Sequence, residues 1–120
     1  MSKVKPRLNL IVIRSLEPIR AVDFYQMLGI GFQEEQHGSG PVHWAANVDG
    51  LVLEVYPAKS ADEVDRTTRL GFDVENVASL LNTLRSSGAE IINDVKESKW
   101  GIRAVVRDPD GRSVELLQSG

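Results

Sequence analysis

The pattern of hydrophobic and polar residues in the first half of the chain predicts a strand, a helix and three more strands. Residues 8–13 are almost entirely apolar, as expected for a buried strand. Apolar residues then recur at i, i+3, i+4 and i+7, which indicates one face of a helix. The helical positions are Ala21, Phe24, Tyr25 and Leu28. Strands are predicted next over residues 30–36, 42–48 and 51–56, the last two as a hairpin.

The second half of the chain predicts the same order of elements. Alternation over residues 69–74 favours a strand, and a second helical stripe follows it. The positions of this stripe are Val77, Leu80, Leu81 and Leu84. A short strand over residues 89–93, a loop over residues 94–101 and strands over residues 102–107 and 113–118 complete the prediction.

A short motif supports two copies of one structural unit. Each half contains an Asp-Gly turn with a Glu five residues after the Asp. The matching residues, 61 positions apart in each case, are Asp49, Gly50 and Glu54, and Asp110, Gly111 and Glu115. We therefore interpret residues 1–120 as one domain, with unit one at about 7–57, a connection at 58–66 and unit two at about 67–118. Because neither unit would bury its sheet and helix well alone, we expect them to share one sheet system.

Composition and charge narrow the class of protein. With 42% hydrophobic residues in 120, the chain has enough apolar side chains for one core. The net charge of −3, with scattered Lys and Arg, gives no basic face for nucleic acid. No apolar run approaches the length of a membrane span, and the first residues lack a signal-peptide segment. The absence of cysteine excludes disulfides and thiolate chemistry. We therefore expect a cytoplasmic domain with no nucleic-acid or membrane partner.

Several short segments have counterparts in a known family. They are residues 21–29, with Phe-Tyr and Leu-Gly near the helix end, residues 81–88, residues 100–101, residues 107–111 and residues 114–116. In this order they resemble the helices and C-terminal motif of the vicinal oxygen chelate superfamily, which includes glyoxalase I, bleomycin-resistance proteins and extradiol dioxygenases. The resemblance implies an α+β fold in which two β-α-β-β-β units form a shared, partly open mixed β-sheet barrel. It also implies a homodimer whose subunits complete each other's cavity.

The resemblance also identifies the positions at which metal-using relatives hold their ion. These relatives use two histidines on the opening strands of the units and two carboxylates on the closing strands. The carboxylate positions correspond to Glu54 and Glu115, but the histidine positions correspond to Arg69 and to Asn9 or, with a one-residue shift, Leu10. Arginine has no lone pair to donate, and an amide oxygen is a weak ligand for transition metals. We therefore predict no metal of the usual kind and no cofactor.

Arg69 has two interpretations. In the first, its guanidinium points into the cavity and pairs with Glu54 and Glu115, where relatives hold a metal. In the second, Arg69 points to solvent at the beginning of its strand and the carboxylates lie at a wet cavity mouth. Buried charges generally require partners, which is the argument for the first interpretation.

The remaining candidates each have a structural alternative. His43 is a candidate to hydrogen-bond a ligand or act in acid–base chemistry, or it is a structural residue. Trp44 and Trp100 are candidates to stack on a flat ligand, or they pack in the core or a dimer contact. Asp108 and Asp110 are expected to shape the C-terminal turn and accept backbone hydrogen bonds.

These features favour a protein that binds a small organic ligand in a cavity without the usual metal-ligating histidines. The alternative is an enzyme of the same superfamily: a lyase, isomerase or dioxygenase type with an atypical metal site. Metal-free acid–base work by Glu54, Glu115 or His43 is a further form of this alternative.

Overall fold

The repeat predicted from the sequence is present in the computed structural model, which describes residues 5–119. Unit one consists of β1 (Leu10–Ser15), α1 (Pro18–Met27), β2 (Phe32–Glu35), β3 (His43–Val48) and β4 (Leu51–Pro57). A single 3-10 turn, Ala61–Glu63, lies in the connection. Unit two consists of β5 (Leu70–Asp73), α2 (Val77–Ser86), β6 (Ile91–Ser98), β7 (Gly101–Arg107) and β8 (Ser113–Gln118). None of the helices described is long and apolar enough to span a membrane.

Each unit forms its own open, mixed, four-stranded sheet. The strand orders are β1-β4-β3-β2 and β5-β8-β7-β6, and the first pair in each sheet is parallel. The remaining pairs are antiparallel. Within residues 5–119 no strand of one unit pairs with a strand of the other. The α+β fold of two β-α-β-β-β units is confirmed, and the units share a hydrophobic core instead of backbone hydrogen bonds between their sheets.

The helices cover one face of each sheet, which we call the helix face. In β4, Leu53 and Val55 point to this face and are almost fully buried. One cluster of buried residues contains helix and strand residues of both units. The opposite side, which we call the open face, carries no helix and presents the alternate residues of every strand. The strand period of two therefore separates packing from candidate chemistry within single strands.

β6 differs from the sequence prediction. It runs to Ser98 and β7 begins at Gly101, so the predicted loop at 94–101 is wrong except at Lys99 and Trp100, which form a tight turn. The strand lies at the edge of its sheet, most of its residues are exposed, and its pairing with β7 contains register shifts. A charged, bulged edge strand lacks the apolar alternation by which strands are recognised.

The C-terminal turn at residues 108–112 is the polar joint between the units. Asp108 is buried and accepts hydrogen bonds from the Tyr25 hydroxyl at 2.7 Å and from Arg112 Nη1 at 3.1 Å. It also accepts from the backbone N–H groups of Asp110 and Arg112, at 2.9 and 3.0 Å. This confirms the predicted role of the turn's carboxylates. Burial, and then the charge of Asp108, raise the pKa of Tyr25 well above its ordinary value.

Two further hydrogen bonds carry the joint to the end of β1. The Leu16 N–H donates to Asp110 Oδ1 at 3.0 Å, and Arg112 Nη2 donates to the Arg14 carbonyl. The Arg112 side chain is only 1% exposed and makes an ion pair with Asp108. The turn therefore fixes unit one against unit two with partners that the sequence alone did not reveal.

Candidate functional site

Strand register determines which predicted residues share the open faces. In unit one, Glu54 lies beside Val12 of β1 and Ala45 of β3. In unit two, Glu115 lies beside Gly71 of β5 and Val105 of β7. Laterally paired residues point to the same side of a sheet, so both repeat-related carboxylates belong to open faces.

On the open face of unit one, His43 is almost fully buried although no helix covers it. Its ring stacks on Tyr56 at 4.2 Å with an interplanar angle of 6°. Its Nδ1 lies 3.2 Å from the Pro41 carbonyl. Its Nε2 lies 3.4 Å from Glu35 Oε1 and 3.7 Å from Glu54 Oε2, and makes no hydrogen bond. A buried imidazole nitrogen without a partner therefore faces two carboxylates.

His37 lies beside this group, in the loop after β2. Its ring centroid is 5.1 Å from that of His43, and its Nε2 is 3.5 Å from Glu35 Oε1. The fold thus brings together the chain's two histidines and two carboxylates, Glu35 and Glu54. Sequence reasoning missed Glu35 and His37; the signal available was the register that a hairpin over β2 and β3 imposes on Glu35 and His43.

On the open face of unit two, Glu115 has a cation of its own. Arg103 Nη2 donates to Glu115 Oε2 at 2.9 Å, and both side chains are a little over one-third exposed. Arg103 comes from β7, directly opposite Leu117 of β8. A shallow groove of about 540 Å³ lies beside this pair, lined by β6 and β7 residues that include Lys96, Arg103 and Val105.

Arg69 does not lie between the two carboxylates. It is exposed, immediately before β5, and makes no ion pair with any residue in the described range. The parallel register places Gly71 beside Glu115, so Arg69 is two residues too early to reach the middle of the open face. The bridging interpretation is therefore wrong, and the solvent interpretation matches the structure.

The other candidates occupy three different environments. Asn9 is exposed before β1, and its carbonyl accepts from the Val52 N–H at 2.9 Å. Trp44 lies opposite Val55 on the helix face and packs against the core, so it is not available to a ligand on the open face. Trp100 is 68% exposed in the turn between β6 and β7, with Lys99 Nζ 4.5 Å from its ring centroid.

A second groove, of about 420 Å³, lies away from both open faces. It is formed by α1, the end of α2 and the C-terminal turn, and Arg20, Glu90 and Arg107 contribute charge to it. None of the seven candidate site residues lines it. The chemistry of the open faces and this groove are therefore separate features of the molecule.

Comparison with known proteins decides the family. The model described as Glyoxalase/Bleomycin resistance protein/Dioxygenase superfamily matches residues 7–116. The chain belongs to this superfamily. Its match extends over both units and the connection between them, so the superfamily assignment applies to the whole two-unit structure.

Solved structures share the fold of this superfamily member at low sequence identity. TnmS3, described as an antibiotic binding protein from Streptomyces sp. CB03234, is 20% identical with a TM-score of 0.75, over 99% of this chain and 100% of its own. A superfamily enzyme from Burkholderia phytofirmans PsJN is also 20% identical with a TM-score of 0.75, over 96% and 100%. The oxidase ChaP-H2 is 17% identical with a TM-score of 0.77, over 98% and 96%. No curated protein matches the chain in sequence.

Proposed function

We propose that this superfamily member binds a small organic ligand on its open faces, without the histidine-containing metal centre of its metal-using relatives. The observation that carries the proposal is the composition of these faces. They present Glu54 and the Arg103–Glu115 pair among apolar residues such as Val12 and Val105. A few polar groups within an apolar surface are typical of small-molecule sites. By the resemblance, the positions of the relatives' histidines correspond to Arg69 and to Asn9 or Leu10, and all three of these residues are exposed.

We further propose that two chains combine so that open faces become enclosed cavities. In β1, Leu10 and Val12 are 48% and 43% exposed although they lie in a strand, and Val95 of β6 is 40% exposed. A second copy would remove this apolar surface from water, and twofold pairing is the commonest way to do so. Light scattering after size exclusion should give a mass near twice 13.2 kDa. A monomer at micromolar concentration would contradict the shared cavity.

The first test uses antibiotics as probes, because TnmS3 is described as an antibiotic binding protein. Aromatic antibiotics should be titrated into the chain while thermal unfolding is followed, and native mass spectrometry should identify any molecule that co-purifies. A ligand bound only by the folded state raises the unfolding temperature with concentration. We expect at least one such probe or co-purifying molecule.

Matched arginine variants locate the ligand. Arg103→Met removes the guanidinium from the open face of unit two, and we expect it to weaken binding at least about tenfold, as for a lost charged hydrogen bond. Arg20→Met removes a pair of the same charges, with Glu17, at the start of α1 and should leave binding unchanged. Equal affinity in wild type, Arg103→Met and Glu54→Gln would show that the ligand binds elsewhere.

The enzyme alternative rests on His43. Its unpartnered Nε2 faces Glu35 and Glu54, which is an arrangement suited to accepting a proton from a bound ligand. ChaP-H2, described as an oxidase, has the same fold. Once a ligand is identified, incubation with wild type and His43→Gln followed by mass spectrometry distinguishes the two functions. Turnover that depends on His43 favours the enzyme, and unchanged ligand favours binding.

A further inference from the structure

We propose that Glu35, His37 and His43 bind one first-row divalent metal ion of the zinc class at the edge of unit one's open face. The backbone brings the three residues together: Glu35 ends β2 and is paired with His43, which begins β3. His37 follows Glu35 by two residues in the connecting loop. Their ligand atoms all lie within 4.8 Å of one another.

The hydrogen bond at Nδ1 determines the tautomer of the neutral His43 ring. The Pro41 carbonyl, 3.2 Å away, can only accept, so Nδ1 carries the proton of the neutral ring. The lone pair is then on Nε2, which is buried and has no hydrogen-bond partner. Metal-binding histidines characteristically donate their other nitrogen in this way, which fixes both the tautomer and the ring orientation. A bound cation would satisfy a nitrogen that the protein itself leaves unsatisfied.

The separations of the ligand atoms favour a metal over direct hydrogen bonds. The distances from Glu35 Oε1 to His43 Nε2 and His37 Nε2 are 3.4 and 3.5 Å. Bonds of about 2.0–2.1 Å at tetrahedral angles place ligand atoms roughly 3.3–3.4 Å apart. The two distances therefore resemble edges of a zinc coordination tetrahedron. His37 is 75% exposed, so its ring has room to adjust.

Glu54 adds negative charge and defines the open side of the site. Its Oε2 lies 3.7 Å from His43 Nε2, and its side chain is 16% exposed. Two imidazoles with carboxylate oxygens suit zinc, cobalt and nickel. Three protein ligands leave a fourth position for water or a ligand, as in catalytic zinc sites. The three proposed ligands lie outside the positions that metal-using relatives employ.

The proposal is tested by calorimetric titration of untagged, chelator-treated chain with Zn²⁺ and Co²⁺ near pH 7.5. We expect one ion per chain. We also expect the visible absorption of bound Co²⁺ to have the high intensity of four-coordination, and added Zn²⁺ to displace it. An affinity weaker than millimolar for both ions would overturn the proposal.

Three variants separate this site from adventitious binding. His37→Ala changes an exposed side chain and Glu35→Gln a partly exposed one, so both should fold. Each should weaken Zn²⁺ binding at least about 100-fold, because even residues that only support a metal ligand contribute 10–100-fold. The control, Glu34→Gln, changes the neighbouring exposed carboxylate and should bind as wild type does. Unchanged affinity in His37→Ala and Glu35→Gln, or equal loss in Glu34→Gln, would overturn the site.

The metal site and the organic-ligand site have separate readouts. A chain that binds an antibiotic probe but no metal refutes only the metal site. A chain that binds Zn²⁺ through Glu35 and His37 but no organic probe supports the metal site and not the proposed function.

Discussion

The joint between the units and the open face of unit one each bury a nitrogen-bearing side chain, but the two side chains differ in their hydrogen bonding. Arg112 and His43 are both 1% exposed. Two of the Arg112 guanidinium nitrogens donate hydrogen bonds, to Asp108 and to the Arg14 carbonyl. His43 Nε2 has no such bond and faces carboxylates instead. Although Arg112 Nε has no hydrogen-bond partner, the guanidinium charge is paired within the chain and stabilises the fold, whereas the unpaired Nε2 of His43 is the position at which we propose that a cation binds.

The largest loss of stability is expected from a substitution at the joint. Arg112→Met should remove about 3–5 kcal/mol from the free energy of unfolding, because it leaves the Asp108 charge buried without its ion-pair partner. Urea unfolding followed by circular dichroism measures the loss. His43→Gln, at an equally buried position whose Nε2 makes no hydrogen bond with a carboxylate, should cost less than half as much. Equal losses would show that the two sites do not differ in this way.

Removal of the Tyr25 hydroxyl should lower the free energy of unfolding by a smaller amount, and this amount should depend on pH. Tyr25→Phe keeps the edge-to-face contact with Phe24 and removes the hydrogen bond to Asp108, so we expect a loss of about 1.5–3 kcal/mol at neutral pH. Because the folded protein raises the pKa of this phenol, the unfolded chain loses its proton first. The stabilisation is thus fully present below about pH 10 and falls as the pH rises further. Unfolding measured between pH 7 and 11 should show the stability of wild type approaching that of Tyr25→Phe, and a constant difference between the two would contradict this assignment.

The two repeat-related carboxylates should respond differently to neutralisation. Glu115→Gln removes the pair with Arg103, and it should lower stability by about 1 kcal/mol or less because the pair is partly exposed. Glu54→Gln should not lower stability in buffer with a chelator, because no described side chain donates a hydrogen bond to Glu54. Chemical unfolding at low and high salt measures both changes. A larger loss in Glu54→Gln than in Glu115→Gln would reverse the comparison.

Of these substitutions, Arg69→Ala should change the stability of the protein least. An exposed residue without an ion pair usually changes stability by less than about 0.5 kcal/mol when replaced. Arg103→Ala provides the contrast, since it removes the cation that does contact Glu115. Thermal unfolding from pH 4 to 8 should show no pH dependence specific to Arg69→Ala. A loss of stability in Arg69→Ala that becomes smaller at acidic pH would show that Arg69 does interact with Glu54 or Glu115.

Periodicity predicted the fold well because the helix faces of both units are built from it. Residues such as Leu53, Leu81 and Leu116 alternate or repeat with the spacing of their element and are almost fully buried. β6 was missed in part because an exposed edge strand is under no such constraint.

The candidate site was predicted less well, because it depends on register. Whether Arg69 reaches Glu115 depends on the register of β5 and β8, which aligns Gly71 with that carboxylate. Arg69 lies two residues before Gly71, and Arg103 of β7 is the residue that contacts Glu115. His37 and His43 are six positions apart in sequence, and only the path of the loop and hairpin shows that they face one carboxylate. The apolar alternation of a single strand does not show which residues of neighbouring strands are paired.

The joint also determines when this chain can complete its structure during synthesis. Arg112 bonds to the Arg14 carbonyl across 98 positions, Asp110 to Leu16 across 94, and Asp108 to Tyr25 across 83. Unit one can therefore form its strands early, but these hydrogen bonds to unit two cannot form until residues 108–112 have been synthesised. Truncation just before Asp108 should leave a chain that chaperones retain, whereas a chain that extends through Gln118 of β8, the strand that pairs with both β5 and β7, should be released.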